Sequence, residues 1–128
     1  MDKEDLIDYL KSQLNTEFFR NGISKELESF RNSLKEKGRS ARIVYNGDRS
    51  KTNITKAHLK KICSDYSNSL VDDLFVSYIV DALLLSENSI FETEELREKF
   101  ELLTDFEING KLTKERMSEI CGSQPGRK

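Results

Sequence analysis

The sequence predicts a mainly α fold: a compact bundle of about six helices around a central apolar helix at residues 70–85, with a short β strand or hairpin near 41–46. Three observations support this fold class. The stretch 70–85 is apolar over about two thirds of a helical wheel. Other segments repeat apolar residues every three or four positions, which is typical of amphipathic helices. One proline and six glycines leave little room for long linkers.

The central helix is predicted from the run LVDDLFVSYIVDALLL, which begins at Leu70. A helix this apolar has to be surrounded by other helices. Its polar side chains form a narrow stripe of Asp73, Ser77 and Asp81. We expect this stripe to be the solvent-facing edge of the helix, with a polar notch beneath the surface as the alternative. The run is too short to span a membrane, which requires roughly 20 apolar residues.

The N-terminal part of the chain is predicted to form two helices joined by a short connection. The first runs from about Lys3 to Phe19. The second starts at Ser24, a favourable N-cap residue, and runs to about Lys37. The core-facing positions are Leu6, Leu10, Leu14 and Phe18 in the first helix and Ile23, Leu27, Phe30 and Leu34 in the second.

Residues 41–46 interrupt the helical pattern. The sequence of residues 41–45, ARIVY, is β-prone, and the Asn46-Gly47 pair that follows is a turn signal. The sequence that follows the turn, DRSKTNIT, makes a poor strand. We therefore predict one short strand, or one arm of an irregular hairpin, before a helix that begins near Thr55 as its cap.

Two further helices are predicted after the central one. The first follows the cap residue Thr93 in sequence and runs from Glu94 to about Thr104. The second is a short helix between Thr113, its cap, and Gly122, its stop. The core-facing positions are Leu96, Phe100 and Leu103 in the first helix and Met117 and Ile120 in the second.

Length and composition indicate one globular domain. A chain of 128 residues can bury one real core. We predict a single helical domain at 1–122 and a frayed tail at 123–128. A charged fraction of 34% together with many aliphatic residues favours a highly soluble globular protein over a disordered one. The N-terminal sequence MDKEDLIDYL is too acidic for a secretion signal, so we expect a cytoplasmic protein.

The two cysteines, Cys63 and Cys121, are expected to be buried and inert thiols in a reducing compartment. Together with His58, the only histidine, they are too few for a zinc site unless a carboxylate completes it. No catalytic motif or nucleotide-binding loop is recognisable. The sequence therefore predicts no cofactor, no metal and no catalytic residues.

Charge is strongly segregated along the chain. Residues 31–61 carry ten bases and two acids, a net charge of +8. Residues 62–109 carry twelve acids and two bases, a net charge of −10. The whole chain is nevertheless close to neutral, at −2. This segregation is the observation on which the functional argument depends.

The helix after Thr93 has an acidic ridge, which we define as Glu94, Glu98, Glu101 and Asp105. These residues fall opposite its apolar face, in a band about 60° wide. Like charges at this spacing disfavour an isolated helix by roughly 0.2–0.5 kcal/mol per pair. The acidic ridge is either a solvated face or a docking surface for a cationic partner, where binding relieves the repulsion. A metal site is disfavoured because carboxylates along one helix splay apart.

The basic segment, which we define as residues 31–61, offers an alternative function: it could bind phosphates. Its candidate residues are Arg39, Arg42, Arg49 and Lys51. The segment has no stacking platform for single strands. The helices that flank residues 67–69 resemble a helix-turn-helix only superficially, because the second one is too apolar to lie in a DNA groove.

The preferred prediction is a non-enzymatic protein-binding module. More concretely, we predict an inhibitor of the bacterial immunity-protein type, which masks a basic surface on a partner such as a nuclease toxin. Nucleases have basic surfaces because they hold phosphates. A nucleic-acid-associated regulator that binds through residues 39–61 is the alternative, and the sequence does not fix the oligomeric state.

Overall fold

The fold is that of a computed structural model, which describes residues 1–34, 47, 50–104 and 111–121. These residues form seven helices and two short strands, and their buried apolar side chains make one cluster. The predicted mainly α fold around a central helix is confirmed. In chain order the elements are α1 (Lys3–Leu10), α2 (Thr16–Gly22), α3 (Ser24–Leu34), β1 (Thr52–Ile54), α4 (Lys56–Ser67), α5 (Asp73–Leu85), β2 (Ser89–Phe91), α6 (Glu94–Glu101) and α7 (Lys114–Cys121).

The central helix is α5, and it begins three residues later than predicted. Ser69 has a φ of 63°, in the left-handed region, which separates α4 from α5. The Asp72 side chain then caps α5 by accepting a hydrogen bond from the backbone N of Phe75 at 2.9 Å. Leu70 is left 45% exposed before the helix. The buried residues of α5 are Phe75, Val76, Ser77, Tyr78, Ile79, Val80, Ala82 and Leu83.

The single helix predicted from Lys3 to Phe19 is wrong, because the chain breaks between α1 and α2. Ser12 has a φ of 61°, which ends the first helical run. Asn15 starts the second run: its side chain accepts a hydrogen bond from the backbone N of Phe18 at 3.0 Å. This new start turns Phe19 into the core and leaves Phe18, a predicted core residue, 70% exposed.

Aromatic rings join the N-terminal helices to α5. The rings of Tyr9 and Phe19 stack with their centroids 5.0 Å apart, and the Phe75 ring meets both edge-on. Phe30 of α3 packs edge-on against Tyr78 of α5, at a centroid distance of 5.0 Å. Such pairs contribute about 0.5–1.5 kcal/mol each beyond the burial of their surface. They therefore fix α1, α2 and α3 against the central helix.

The polar stripe of α5 is not the solvent-facing edge that the sequence predicts. The Thr104 hydroxyl donates to Asp81 Oδ1 at 2.7 Å, and its oxygen lies 2.9 Å from the Oγ of buried Ser77. At the other end, Asp73 accepts a hydrogen bond from the backbone N of Leu112 at 3.1 Å. The stripe is covered because it supplies hydrogen-bond partners to the chain that follows α6 and the chain that precedes α7.

Tyr66 of α4 joins the same contact. Its hydroxyl lies 2.6 Å from Asp73 Oδ1 and 2.9 Å from the carbonyl oxygen of Leu112. Burial and the neighbouring Asp73 carboxylate raise the pKa of Tyr66 above its usual value. The hydroxyl therefore keeps its proton and acts as the donor between α4, α5 and the start of the last helical segment.

A two-stranded parallel sheet pairs Thr52 with Ser89 and Ile54 with Phe91. The prediction that residues 48–55 make a poor strand is wrong for β1. Its pairing is a long-range one: the backbone N of Thr52 donates to Asn88 O at 2.8 Å. Ile54 is fully buried, which adds apolar packing to the short strand. The strand or hairpin predicted near 41–46 lies outside the described residues.

The prediction of two inert thiols is also wrong. Cys63 of α4 and Cys121 of α7 form a disulfide, with their Cα atoms 6.7 Å apart. The two helices pack directly against each other, so the bond joins neighbouring elements that are 58 residues apart in sequence.

Most other helix starts and core positions are confirmed. Helix α4 follows Thr55, α6 follows Thr93 and α7 follows Thr113, as predicted. The predicted end of α3 near Lys37 lies outside the described residues. Within the described part of the chain, no helix combines the length and apolarity that crossing a membrane demands. The confirmed core positions include Leu6, Leu10, Ile23, Leu27, Phe30, Leu96, Phe100, Leu103, Met117 and Ile120.

Candidate functional site

Helix α6 carries the candidate site, and its orientation is set by a cap and an apolar face. The Thr93 side chain accepts a hydrogen bond from the backbone N of Leu96 at 3.0 Å, which fixes the first turn. Leu96 and Phe100 are buried, as predicted. The Phe100 ring packs against Phe91 of β2 at a centroid distance of 5.3 Å. The opposite face of α6 must therefore point outward.

The three described members of the acidic ridge lie on this outward face. Glu94, Glu98 and Glu101 are all exposed. Asp105, the fourth member, lies outside the described residues. The structure thus brings three ridge carboxylates to one side of α6 and presents them to solvent.

Arg97 supplies a counter-charge that the sequence argument did not assign. Its Nε lies 3.7 Å from Glu101 Oε2, and its guanidinium lies over the Phe91 ring, 5.3 Å from the centroid. The ring contact holds the arginine beside α6. An exposed ion pair of this kind contributes only about 0–1 kcal/mol. The ridge therefore remains predominantly acidic.

The acidic surface is larger than the ridge. Segment 87–101 contains six glutamates, all exposed, and two bases, Arg97 and Lys99. Sequence reasoning missed three of these glutamates as site candidates because they do not share the helical spacing of the ridge. The net charge of −10 over residues 62–109 was the sequence signal that could have identified them. The three are Glu87, Glu92 and Glu95.

Exposed apolar side chains accompany this acidic segment. Ile90, the middle residue of β2, is 42% exposed, and Leu102, directly after α6, is 39% exposed. Leu85, at the end of α5, is 73% exposed. Protein interfaces combine apolar contacts with a polar rim, so this combination is suited to a protein partner.

The alternative phosphate-binding residues are not assembled within the described part of the chain. Arg39, Arg42 and Arg49 lie outside it. Lys51 is exposed and lines a cavity of about 940 Å³ between α1, β1 and α4. Acidic and basic groups are balanced in this cavity, which does not favour an anion. The charged residues that line it are Asp2, Lys3, Glu4, Asp8, Lys11 and Lys51.

His58 lines the same cavity and is half-buried. Its Nδ1 accepts a hydrogen bond from the backbone N of Thr55 at 3.1 Å. Burial, with a smaller effect from the positive charge of Lys11, lowers the pKa of His58 below its usual value. The ring is therefore neutral at pH 7 and serves as an acceptor at the start of α4.

A buried carboxylate lies between α1, α2 and α4. Asp65 accepts hydrogen bonds from Tyr9 and Thr16, each at 2.8 Å, and lies 3.3 Å from the Lys61 ammonium. Burial and the carboxylate raise the pKa of Tyr9. All these groups are engaged with one another, which indicates a structural role.

Neither a metal-binding cluster among the described residues nor a similar known protein points to the function of the candidate site. Among the residues that the structure describes, no group of His, Cys, Asp or Glu is arranged to hold a metal ion. Comparison of the chain with protein-family models, curated proteins and solved structures found no match. A functional proposal for this chain therefore rests on the surface of α6 and its surroundings.

Proposed function

We propose that this protein is a non-enzymatic, cytoplasmic binding module that masks a basic surface on a protein partner. The observation that carries this proposal is the exposure of the ridge residues Glu94, Glu98 and Glu101 on α6. The partner class that fits is a nuclease toxin or a similar phosphate-binding protein. The module would then act as an inhibitor of the bacterial immunity-protein type.

Charge complementarity supports the proposal. A phosphate-binding surface is rich in lysine and arginine. Carboxylates placed opposite such a surface steer the encounter and exclude partners of the wrong charge. The ridge carboxylates repel one another along α6, so a cationic partner removes an unfavourable interaction that the free protein retains.

The apolar residues near the ridge support a protein partner in particular. Leu102 directly follows ridge residue Glu101, and Ile90 lies between Glu87 and Glu92. Apolar contacts of this kind provide the desolvated part of a protein interface. A free polyamine or metal ion would use the carboxylates without the apolar side chains.

The experiment is a pull-down with the tagged full chain from nuclease-treated host lysate at low salt. The test variant is Glu98→Lys with Glu101→Lys. The matched control is Glu28→Lys with Glu119→Lys, which makes the same charge change at exposed positions outside segment 87–101. We expect wild type and control to retain one basic protein in stoichiometric amount, and the ridge variant to lose it.

Two results contradict the proposal. Equal retention by the ridge variant removes the ridge from the interface. Retention of nucleic acid alone from untreated lysate, with a steep salt dependence, supports the alternative function through residues 39–61. Circular dichroism of both variants checks that any loss of binding does not come from unfolding.

A further inference from the structure

The Cys63–Cys121 pair lies where the last helix meets α4. The Cα–Cα distance of 6.7 Å is within the range of about 4.4–6.8 Å that disulfides occupy. Both cysteines are 7% exposed, so they lie just below the surface and not in the centre of the core.

Helix α7 is a short element whose main packing partner is α4. It has eight residues, a length at which an isolated helix is not stable in water. Apart from Cys121, its buried residues are Met117 and Ile120. The chain before it is held by hydrogen bonds of Leu112 with Asp73 and Tyr66. The sulfur pair adds a covalent attachment at the far end of α7, next to buried Ile120.

A groove lies beside the cysteine pair, between α4 and α7. It has a volume of about 360 Å³ and contains both cysteines in its lining, along with Met117. Lys60 and Ser64 of α4 also line it. The ammonium group of Lys60 suits an anionic thiol, since it attracts the carboxylates that such a molecule carries.

We propose that Cys63 and Cys121 form a reversible thiol–disulfide site for low-molecular-weight thiols and disulfides of the glutathione class. The oxidation state of this site sets how firmly α7 is fastened to α4. Disulfide-forming cysteine pairs in a reducing compartment are more often redox-sensing than structural, so this inference rests on the proposed cytoplasmic location. This inference does not depend on the acidic ridge.

In the thiol–disulfide exchange, a small disulfide is the oxidant of the two cysteines. One cysteine thiolate attacks a sulfur of the small disulfide, breaks its S–S bond and expels a thiolate. The second cysteine thiolate then attacks the mixed disulfide, forms the Cys63–Cys121 bond and expels a second thiolate. The two cysteines lose two electrons and two protons, and the small disulfide becomes two thiols. Reduction runs the same steps backwards.

The test equilibrates the purified full chain in buffers of varied ratio of reduced to oxidised glutathione. Free thiols are trapped by alkylation and counted by mass spectrometry, and amide hydrogen exchange is followed in the two end states. We expect an intramolecular disulfide in oxidising buffer and two alkylated cysteines in reducing buffer. We also expect exchange in residues 114–121 to be faster on reduction by on the order of tenfold or more, with α5 unchanged.

Cys121→Ser is the control variant, because serine at the end of α7 keeps the size of the side chain but cannot form the bond. It should show the faster exchange of the reduced protein in every buffer. The claim that Cys63 and Cys121 form an intramolecular disulfide is contradicted by two alkylated cysteines at all glutathione ratios. Disulfide-linked dimers contradict it as well. Equal amide hydrogen exchange of α7 in the oxidised and reduced wild type contradicts the claim that the disulfide holds α7 against α4.

Discussion

Replacing Asp65 by alanine tests how the N-terminal helices are held to α4. Asp65 is 5% exposed, and its carboxylate accepts hydrogen bonds from Tyr9 and Thr16. Its removal leaves two buried hydroxyls without that acceptor and Lys61 without its counter-charge. Breaking a buried pair by removing one partner costs about 3–5 kcal/mol, and we expect a loss in this range for Asp65→Ala.

A double-mutant cycle shows how much of that loss belongs to Tyr9. Tyr9→Phe alone removes a hydrogen bond to a charged group, which is worth about 1.5–3 kcal/mol. In the Asp65→Ala background the same substitution should cost less than about 0.5 kcal/mol, because its acceptor is already gone.

The free energy of unfolding is measured by urea denaturation, followed by circular dichroism in non-reducing buffer. A cost of less than about 1 kcal/mol for Asp65→Ala, a value within the range of ordinary substitutions, refutes the role of Asp65 as the shared acceptor. Equal costs of Tyr9→Phe in both backgrounds also refute it, since they mean that the two side chains are not coupled.

Three further predictions concern single side chains. His58 should titrate below pH 6.5 in an NMR titration, and Lys11→Gln should raise its pKa; a wild-type value above 6.5 contradicts the burial argument. The raised pKa of Tyr66 means that above pH 10 the unfolded chain loses a proton that the folded protein keeps, so the free energy of unfolding should fall as pH rises. Tyr66→Phe should show a smaller fall, and an identical pH profile contradicts this. Phe19→Ala should cost about 3–5 kcal/mol in urea denaturation and Phe18→Ala no more than about 0.5 kcal/mol; similar costs contradict the break between α1 and α2.

Strong local signals were sufficient to predict the central helix and α6. Helix α5 is apolar around most of its circumference and cannot lie on a protein surface. Its burial could therefore be predicted from composition alone. Thr93 and the spacing of Leu96 and Phe100 predicted the start and the inward face of α6. The outward positions of Glu94, Glu98 and Glu101 followed from the same spacing.

The break after α1 was not predictable from apolar spacing. A stripe that continues through Leu14 and Phe18 fits one long helix as well as two short ones. The choice was made by the left-handed backbone of Ser12 and the cap at Asn15, which are single-residue features that compete with the pattern. As a result, Phe18 lies on the surface.

Long-range pairings were equally invisible in the sequence. Three-residue strands show no periodicity, so β1 and β2 are defined only by each other. A separation of 58 residues gave no indication that Cys63 faces Cys121. The polar stripe of α5 looked solvent-facing because its hydrogen-bond partners, Thr104 and Leu112, come from chain segments whose position the sequence does not specify.

The measurement that tests the central claim most directly is the association rate of this protein with the basic partner that the pull-down retains. It compares wild type, Glu98→Lys with Glu101→Lys, and the Glu28→Lys with Glu119→Lys control at low and high salt. If the acidic ridge is the docking surface, the ridge variant associates about tenfold or more slowly at low salt, and the difference shrinks as salt is added. Equal association rates for the ridge variant and the control contradict the claim.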